Sequence, residues 1–335
     1  MKIMAVDDDI LSLDLLGECL SEGGYECVSL LSSPNDAIKR LTETAIAYEC
    51  ILLDVDMPEK NGIELCAEIR RLPRYASTPI IMITRHKDRR AIEKSFSRGA
   101  TDYITKPYEF FEVLTRIRIA ERLVQERQAA IDSYFAAQNS ARGKPLLPAT
   151  LRDRSASSTV MADDPEIVSE QIMSLSVFQN YLEQVTRTDE CTIDLIAIKV
   201  RRIDEIFANT SPADFVGFLK TVAGVVVEHF DSKRTFLTHV GNGTFLSAVT
   251  GACSATSAEL EARMLGRLQT RKLPLVCLRE IPTALIVGEP LTLKTAPKLN
   301  FRRATKAAIA RVESRDSELY GMRRSLDRSN LMTNA

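Results

Sequence analysis

Through residues 1–122, short apolar runs alternate with segments whose apolar positions recur every three or four residues. That alternation predicts β-α-β units and a parallel sheet. Strands are expected at 3–6, 25–30, 50–53, 79–84 and 102–105. Helical patterns fall between them at 11–22, 34–42 and 62–71, the last with Ile63, Leu65, Cys66 and Ile69 on its apolar side. Such units form a doubly wound sheet that takes its ligands at the carboxyl ends of the strands.

From 108 to 137 a helical pattern runs without Gly or Pro, with Val113, Ile117, Ala120, Val124, Ile131 and Tyr134 spaced by three and four for most of its length. This predicts an extended helix able to pair with a partner helix, with Arg127 interrupting the seam. Periodicity then fades over 138–166, where Pro145, Pro148, Pro165 and a polar 155–159 cluster predict a flexible linker. A second domain is expected over 167–315, followed by a fraying polar tail over 316–335.

Composition narrows the picture only modestly. Hydrophobic residues are 45% and charged residues 27% of the 335, and the formal net charge is -1. These values fit a globular chain and give none of the global positive charge usual in nucleic-acid binders. The seven cysteines are scattered without a C-x-x-C pair, which predicts reduced thiols rather than a disulfide or metal framework. The acidic opening carries no signal-peptide core and no long apolar run follows, so a cytoplasmic protein is expected.

Candidate chemistry gathers at one edge of the first sheet. Asp7 and Asp8 follow the first strand, Asp54 ends the third, Thr84 ends the fourth, and Tyr103 and Lys106-Pro107 mark the fifth. Carboxylates from adjacent strand ends can share a hard divalent cation, which would offset charge during phosphoryl transfer. With Asp54-x-x-Met57-Pro58-x-x-x-Gly62, this set resembles the receiver domains of two-component response regulators. The resemblance implies a flavodoxin-like receiver phosphorylated on Asp54, with Mg2+ held by Asp7, Asp8, Asp54 and the backbone carbonyl of Asp56. It further implies that Lys106 contacts the phosphoryl group while Thr84 and Tyr103 act as switch residues. The expected partner is a sensor histidine kinase or a histidine phosphotransfer protein. Arg85, bulky beside Thr84, is expected to restrict access to Asp54.

The second domain has predicted strands at 194–200, 234–240, 244–250 and 283–287, a leading helix at 173–185 and a closing helix around 304–309. Gly241, Asn242 and Gly243 between two β-rich runs predict a hairpin, because both residue types tolerate positive φ. The order of elements resembles the diguanylate cyclase (GGDEF) family, an α+β nucleotidyl-cyclase-like, ferredoxin-like fold. On that alignment the catalytic residues are replaced. The acidic pair of the hairpin becomes Gly243 and Thr244, and the carboxylates of the first strand become Lys199 and Arg201. Guanine-reading positions become Phe207 and Val216, and the product-inhibition motif becomes Ser232 and Thr235. Two-metal nucleotidyl transfer requires carboxylates, so cations at 199 and 201 predict no cyclase activity.

The sequence therefore predicts a response regulator with a catalytically inactive cyclase-like output that acts on an unidentified downstream protein. A phosphorylation-dependent dimer is expected through the fourth and fifth receiver helices and the 108–137 helix. Two alternatives stand beside this reading. One is an active or nucleotide-binding cyclase-type regulator; the other is a DNA-contacting regulator using Arg302, Arg303, Lys306 and Arg311.

Overall fold

A computed structural model describes residues 1–86, 88–140, 171–187, 192–208, 210–230, 235–251, 253–271, 285–293 and 301–333. Strands β1 (Ile3–Val6), β2 (Val28–Leu31), β3 (Cys50–Asp54), β4 (Ile80–Thr84) and β5 (Asp102–Thr105) form one parallel sheet in the order β2-β1-β3-β4-β5. Every residue of β1, β3 and β4 is buried, as expected where helices cover both faces. Helices α1 (Ile10–Glu22), α2 (Pro34–Glu43), α3 (Gly62–Arg70) and α4 (Arg89–Ser97) each begin on a side-chain cap, from Asp9, Ser33, Asn61 and Asp88. The caps satisfy backbone N–H groups that the first turn leaves unpaired.

Strand β2 begins three residues later than its apolar run suggests. The Tyr25 N–H donates to the Leu20 carbonyl, which ties Tyr25 to the end of α1 instead of the sheet. Helix α5 spans Phe110–Ser140, so the boundary expected at 138 falls inside it. The first part of its apolar stripe packs within the same unit. Val113, Ile117 and Ala120 are buried in one core with Leu13, Leu16 and Leu20 of α1 and Leu52 of β3. The expected linker beyond residue 140, and the start of the second domain at 167, lie outside the described residues.

The second unit is built on an antiparallel sheet. Its strands are β6 (Ile193–Val200), β7 (Thr235–Gly241), β8 (Thr244–Thr250), β9 (Leu285–Val287) and β10 (Leu291–Leu293). Their order is β10-β6-β8-β7, with β9 also paired to β6. The helices in chain order are α6 (Leu175–Thr186), α7 (Ile203–Ala208), α8 (Pro212–His229), α9 (Ser257–Thr270) and α10 (Phe301–Thr333). Ile196, Ile198 and Val200 of β6 share a core with Val222 and Val226 of α8 and with Leu260, Met264 and Leu268 of α9. The tail expected to fray from 316 is helical through Thr333 as the continuation of α10. Strand β10 was not foreseen, because three residues following a Pro make too short a run to register as a strand. No helix among the described residues is long and apolar enough to cross a membrane.

Candidate functional site

The carboxyl edge of the parallel sheet brings the predicted acids together. One carboxylate oxygen from each of Asp7, Asp8 and Asp54 lies within 4.8 Å of the others. Asp7 and Asp54 are buried and Asp8 is exposed at the mouth. Lys106 Nζ donates to Asp7 Oδ2 at 2.7 Å and to Asp54 Oδ1 at 2.6 Å. The remaining oxygens are also engaged. The Asp9 N–H donates to Asp7 Oδ1 at 3.0 Å, and the Asp56 N–H donates to Asp54 Oδ2 at 2.6 Å.

Electrostatics follows from this packing. Burial pushes the Asp54 carboxyl above its ordinary range and the neighbouring Asp7 charge adds to the rise, while the Lys106 hydrogen bond pulls against it. For Lys106, burial alone would favour the neutral amine. The hydrogen bonds and charges of Asp54 and Asp7 outweigh that and hold its pKa above the usual lysine value. One cation thus stands between two buried carboxylates. A cluster of three hard oxygen donors with one acid open to solvent fits a divalent ion such as magnesium, which keeps several waters.

Adjacent β1 and β3 bring the acids together, and Gly62 lets the next helix start directly against the Asp54 backbone. A Cβ there would lie 1.9 Å from the Asp54 carbonyl oxygen, so only glycine lets α3 start against the end of β3. The Gly62 N–H donates to the Val55 carbonyl at 3.0 Å, fixing that approach.

Thr84 and Tyr103 are linked through a residue that the sequence did not single out. The His86 N–H donates to Thr84 Oγ1 at 3.1 Å, and the Tyr103 hydroxyl donates to the His86 carbonyl at 2.8 Å. The His86 ring pairs through Nε2 with Asp56 Oδ1 at 2.9 Å, bridging the β3–α3 and β4–α4 loops. The Thr84 hydroxyl lies 3.5 Å from Asp56 Oδ2. Tyr103 is fully buried in this arrangement. A histidine two residues beyond Thr84 was legible only as position, since nothing local marks it as a bridge. Arg85 is exposed beside it.

In the second unit the hairpin forms as expected. Gly241 pairs with Thr244 across Asn242 and Gly243, whose φ values of 53° and 66° suit a two-residue turn with both residues left-handed. A Cβ on Gly243 would meet Ile203 Cγ1 at 2.9 Å, so the turn is glycine for packing as well. Phe207 packs edge-on to Phe215, with ring centroids 4.9 Å apart, and Val216 is half-buried on α8. Thr235 is buried and its hydroxyl donates to the Phe230 carbonyl, while Ser232 lies outside the described residues. Lys199 and Arg201 do not face open solvent. Lys199 Nζ lies 3.0 Å from one oxygen of Asp316 and Arg201 Nε lies 2.8 Å from the other.

A family model for the response regulator receiver domain matches residues 3–118. Among curated proteins, the chain is 37% identical over 109 residues to the signal transduction histidine-protein kinase BarA of Escherichia coli (strain K12), covering 32% of this chain and 12% of that kinase. It is 34% identical over 117 residues to the transcriptional regulatory protein CrdR of Helicobacter pylori, covering 35% of this chain and 53% of that regulator. The chain therefore spans about half of CrdR's length and far less of BarA's. Among solved structures, the chemotaxis response regulator CheY4 of Vibrio cholerae is 27% identical, covers 36% of this chain and 97% of its own, and superposes with a TM-score of 0.34.

Proposed function

With residues 3–118 a response regulator receiver domain of the two-component type, we propose that Asp54 accepts a phosphoryl group from a sensor histidine kinase or a histidine phosphotransfer protein. The observation that carries this is the Lys106 ammonium bonded to both Asp54 and Asp7 inside a three-carboxylate cluster. Asp54 attacks the donor's phosphorus, so that one P–O bond forms as the donor's bond to phosphorus breaks. Asp7, Asp8 and Asp54, with the Asp56 carbonyl, would hold Mg2+, which when bound offsets negative charge on the phosphoryl oxygens. Lys106 already sits at the acceptor carboxylate and follows the phosphoryl charge without rearrangement. Thr84 turns its hydroxyl toward the new group. Because its Oγ1 accepts from His86, whose carbonyl accepts from Tyr103, that turn pulls the β4 end and the Tyr103 ring as one piece.

The second unit is read as a catalytically inactive cyclase-like, ferredoxin-like domain that signals by binding a downstream protein. Support comes from the strand order β9-β6-β8-β7, the Gly241–Thr244 hairpin and the cations at 199 and 201. The phosphorylated form is read as a dimer through α4, α5 and the helical extension. Incubating the full chain with GTP and magnesium, with and without a phosphoryl donor, tests the output reading. Unchanged GTP in both arms is expected; any cyclic dinucleotide would overturn it. Light scattering of beryllofluoride-treated protein tests the dimer, and a monomer at high concentration refutes it.

A further inference from the structure

In β6, Ile196, Ile198 and Val200 face the core of α8 and α9, so Lys199 points to the opposite face, and Arg201, in the turn just past the strand, joins it on the same carboxylate. Along α10, Ala304, Ala308 and Val312 are buried at four-residue intervals. The next position in that stripe is Asp316, whose two oxygens take Lys199 and Arg201 at 3.0 and 2.8 Å. A carboxylate has replaced the apolar residue that the stripe would otherwise continue. The three side chains are only 18–21% exposed, and among the described residues neither cation has another acidic partner.

Past Val312, the described side chains of α10 contribute no further buried apolar residue. Charge holds this stretch instead: Asp316 on β6, and Arg315 on Glu261 of α9 at 2.9 Å. Over 313–319, undoing the Asp316 contact therefore costs little apolar burial. It leaves two partly desolvated cations side by side at the end of β6, a pair that favours an anion. Lys and Arg together suit phosphate oxygens, the first as a point charge and the second as a planar fork.

The geometry points to a masked anion site: Lys199 and Arg201 bind a phosphate-bearing anion, and Asp316 is the intramolecular competitor that such an anion displaces, loosening α10 over 313–319. This site stands on the ion-pair geometry alone and does not require the cyclase-like reading.

Inorganic pyrophosphate is the probe, titrated into the full chain by calorimetry at constant ionic strength set with potassium chloride, with hydrogen exchange read on residues 313–319. Removing the competitor charge by Asp316→Asn is expected to tighten binding by about tenfold, the order of one partly buried ion pair. Asp316→Glu keeps the charge and is expected to stay at the parental affinity. Lys199→Gln with Arg201→Gln abolishes binding, and in the parent pyrophosphate speeds exchange at 313–319 where equal ionic strength of chloride does not. Equal affinity of the parent and Asp316→Asn overturns the proposal, as does binding that survives loss of both cations. An exchange response that chloride reproduces also overturns it, because screening would then suffice.

Discussion

Replacing Gly62 by alanine strikes the close approach of α3 to the backbone of Asp54, the proposed acceptor. The added Cβ would sit 1.9 Å from the Asp54 carbonyl oxygen, 2.9 Å from its carbon and 3.1 Å from Val55 Cα. Ordinary contact would need a displacement of about 1.5 Å, and a close-packed interior has no void to absorb it. The obstacle is backbone at the end of a fully buried strand, so no side-chain rotation relieves it. Overpacking of this kind costs about 3 kcal/mol. For a unit of this size that lowers the melting temperature by about 12 °C. Moving Asp54 also takes its carboxylate away from Lys106, so phosphoryl acceptance should fall with stability. Hydrogen exchange on peptides covering 50–66 reads the local loss in the full chain, and a timed phosphorylation assay reads the second effect. Gly224→Ala is the matched control: nothing lies within 4 Å of a Cβ there. In the middle of α8, alanine should stabilise by about 1 kcal/mol. A Gly62→Ala chain with parental exchange over 50–66 and a parental phosphorylation rate would refute the packing argument.

Further outcomes follow from buried charges. Burial raises the Asp102 carboxyl from 3.8 to about 6 against the pull of Arg116. The native state then binds a proton more tightly than the unfolded chain does. Receiver stability should consequently rise as pH falls from 7 toward 4, with Asp102 contributing on the order of 2–3 kcal/mol. Asp102→Asn should remove that share of the slope in urea titrations at each pH, and an unchanged slope would contradict it. The half-buried Arg70 guanidinium donates to the carbonyls of Tyr75, Thr78 and Gly99. Arg70→Met takes that donor from the Thr78 and Gly99 carbonyls, while the Tyr75 carbonyl keeps the Thr78 N–H, and should cost about 2–4 kcal/mol by urea titration. Arg85→Ala opens the mouth beside Thr84 and should speed autodephosphorylation; an unchanged rate would remove Arg85 from the account.

The parallel sheet was legible because Ile3–Val6, Cys50–Asp54 and Ile80–Thr84 are continuous apolar runs that only two-sided burial explains. Asp7, Asp8, Asp54 and Lys106 were legible because topology alone carries strand ends to one edge. His86 was not, since its bridging depends on where two loops meet in space. Asp316 was hidden for a different reason. A stretch rich in Ser, Arg and Glu reads as solvated tail, and nothing in the local pattern reveals that one carboxylate continues the Ala304, Ala308, Val312 stripe onto two cations at the end of β6, more than a hundred residues earlier. The first part of the α5 stripe was ambiguous from spacing alone, because Val113, Ile117 and Ala120 satisfy the same spacing whether they meet a partner helix or their own core.

The central claim is that Asp54 is the acceptor, and peptide mapping after phosphorylation tests it most directly. The full chain is incubated with magnesium and a small phosphoryl donor, quenched, digested and weighed. One added phosphoryl mass on the peptide carrying Asp54, absent without magnesium and absent from Asp54→Asn, is the predicted result. A phosphoryl group on another residue, or one that persists in Asp54→Asn, would contradict the account.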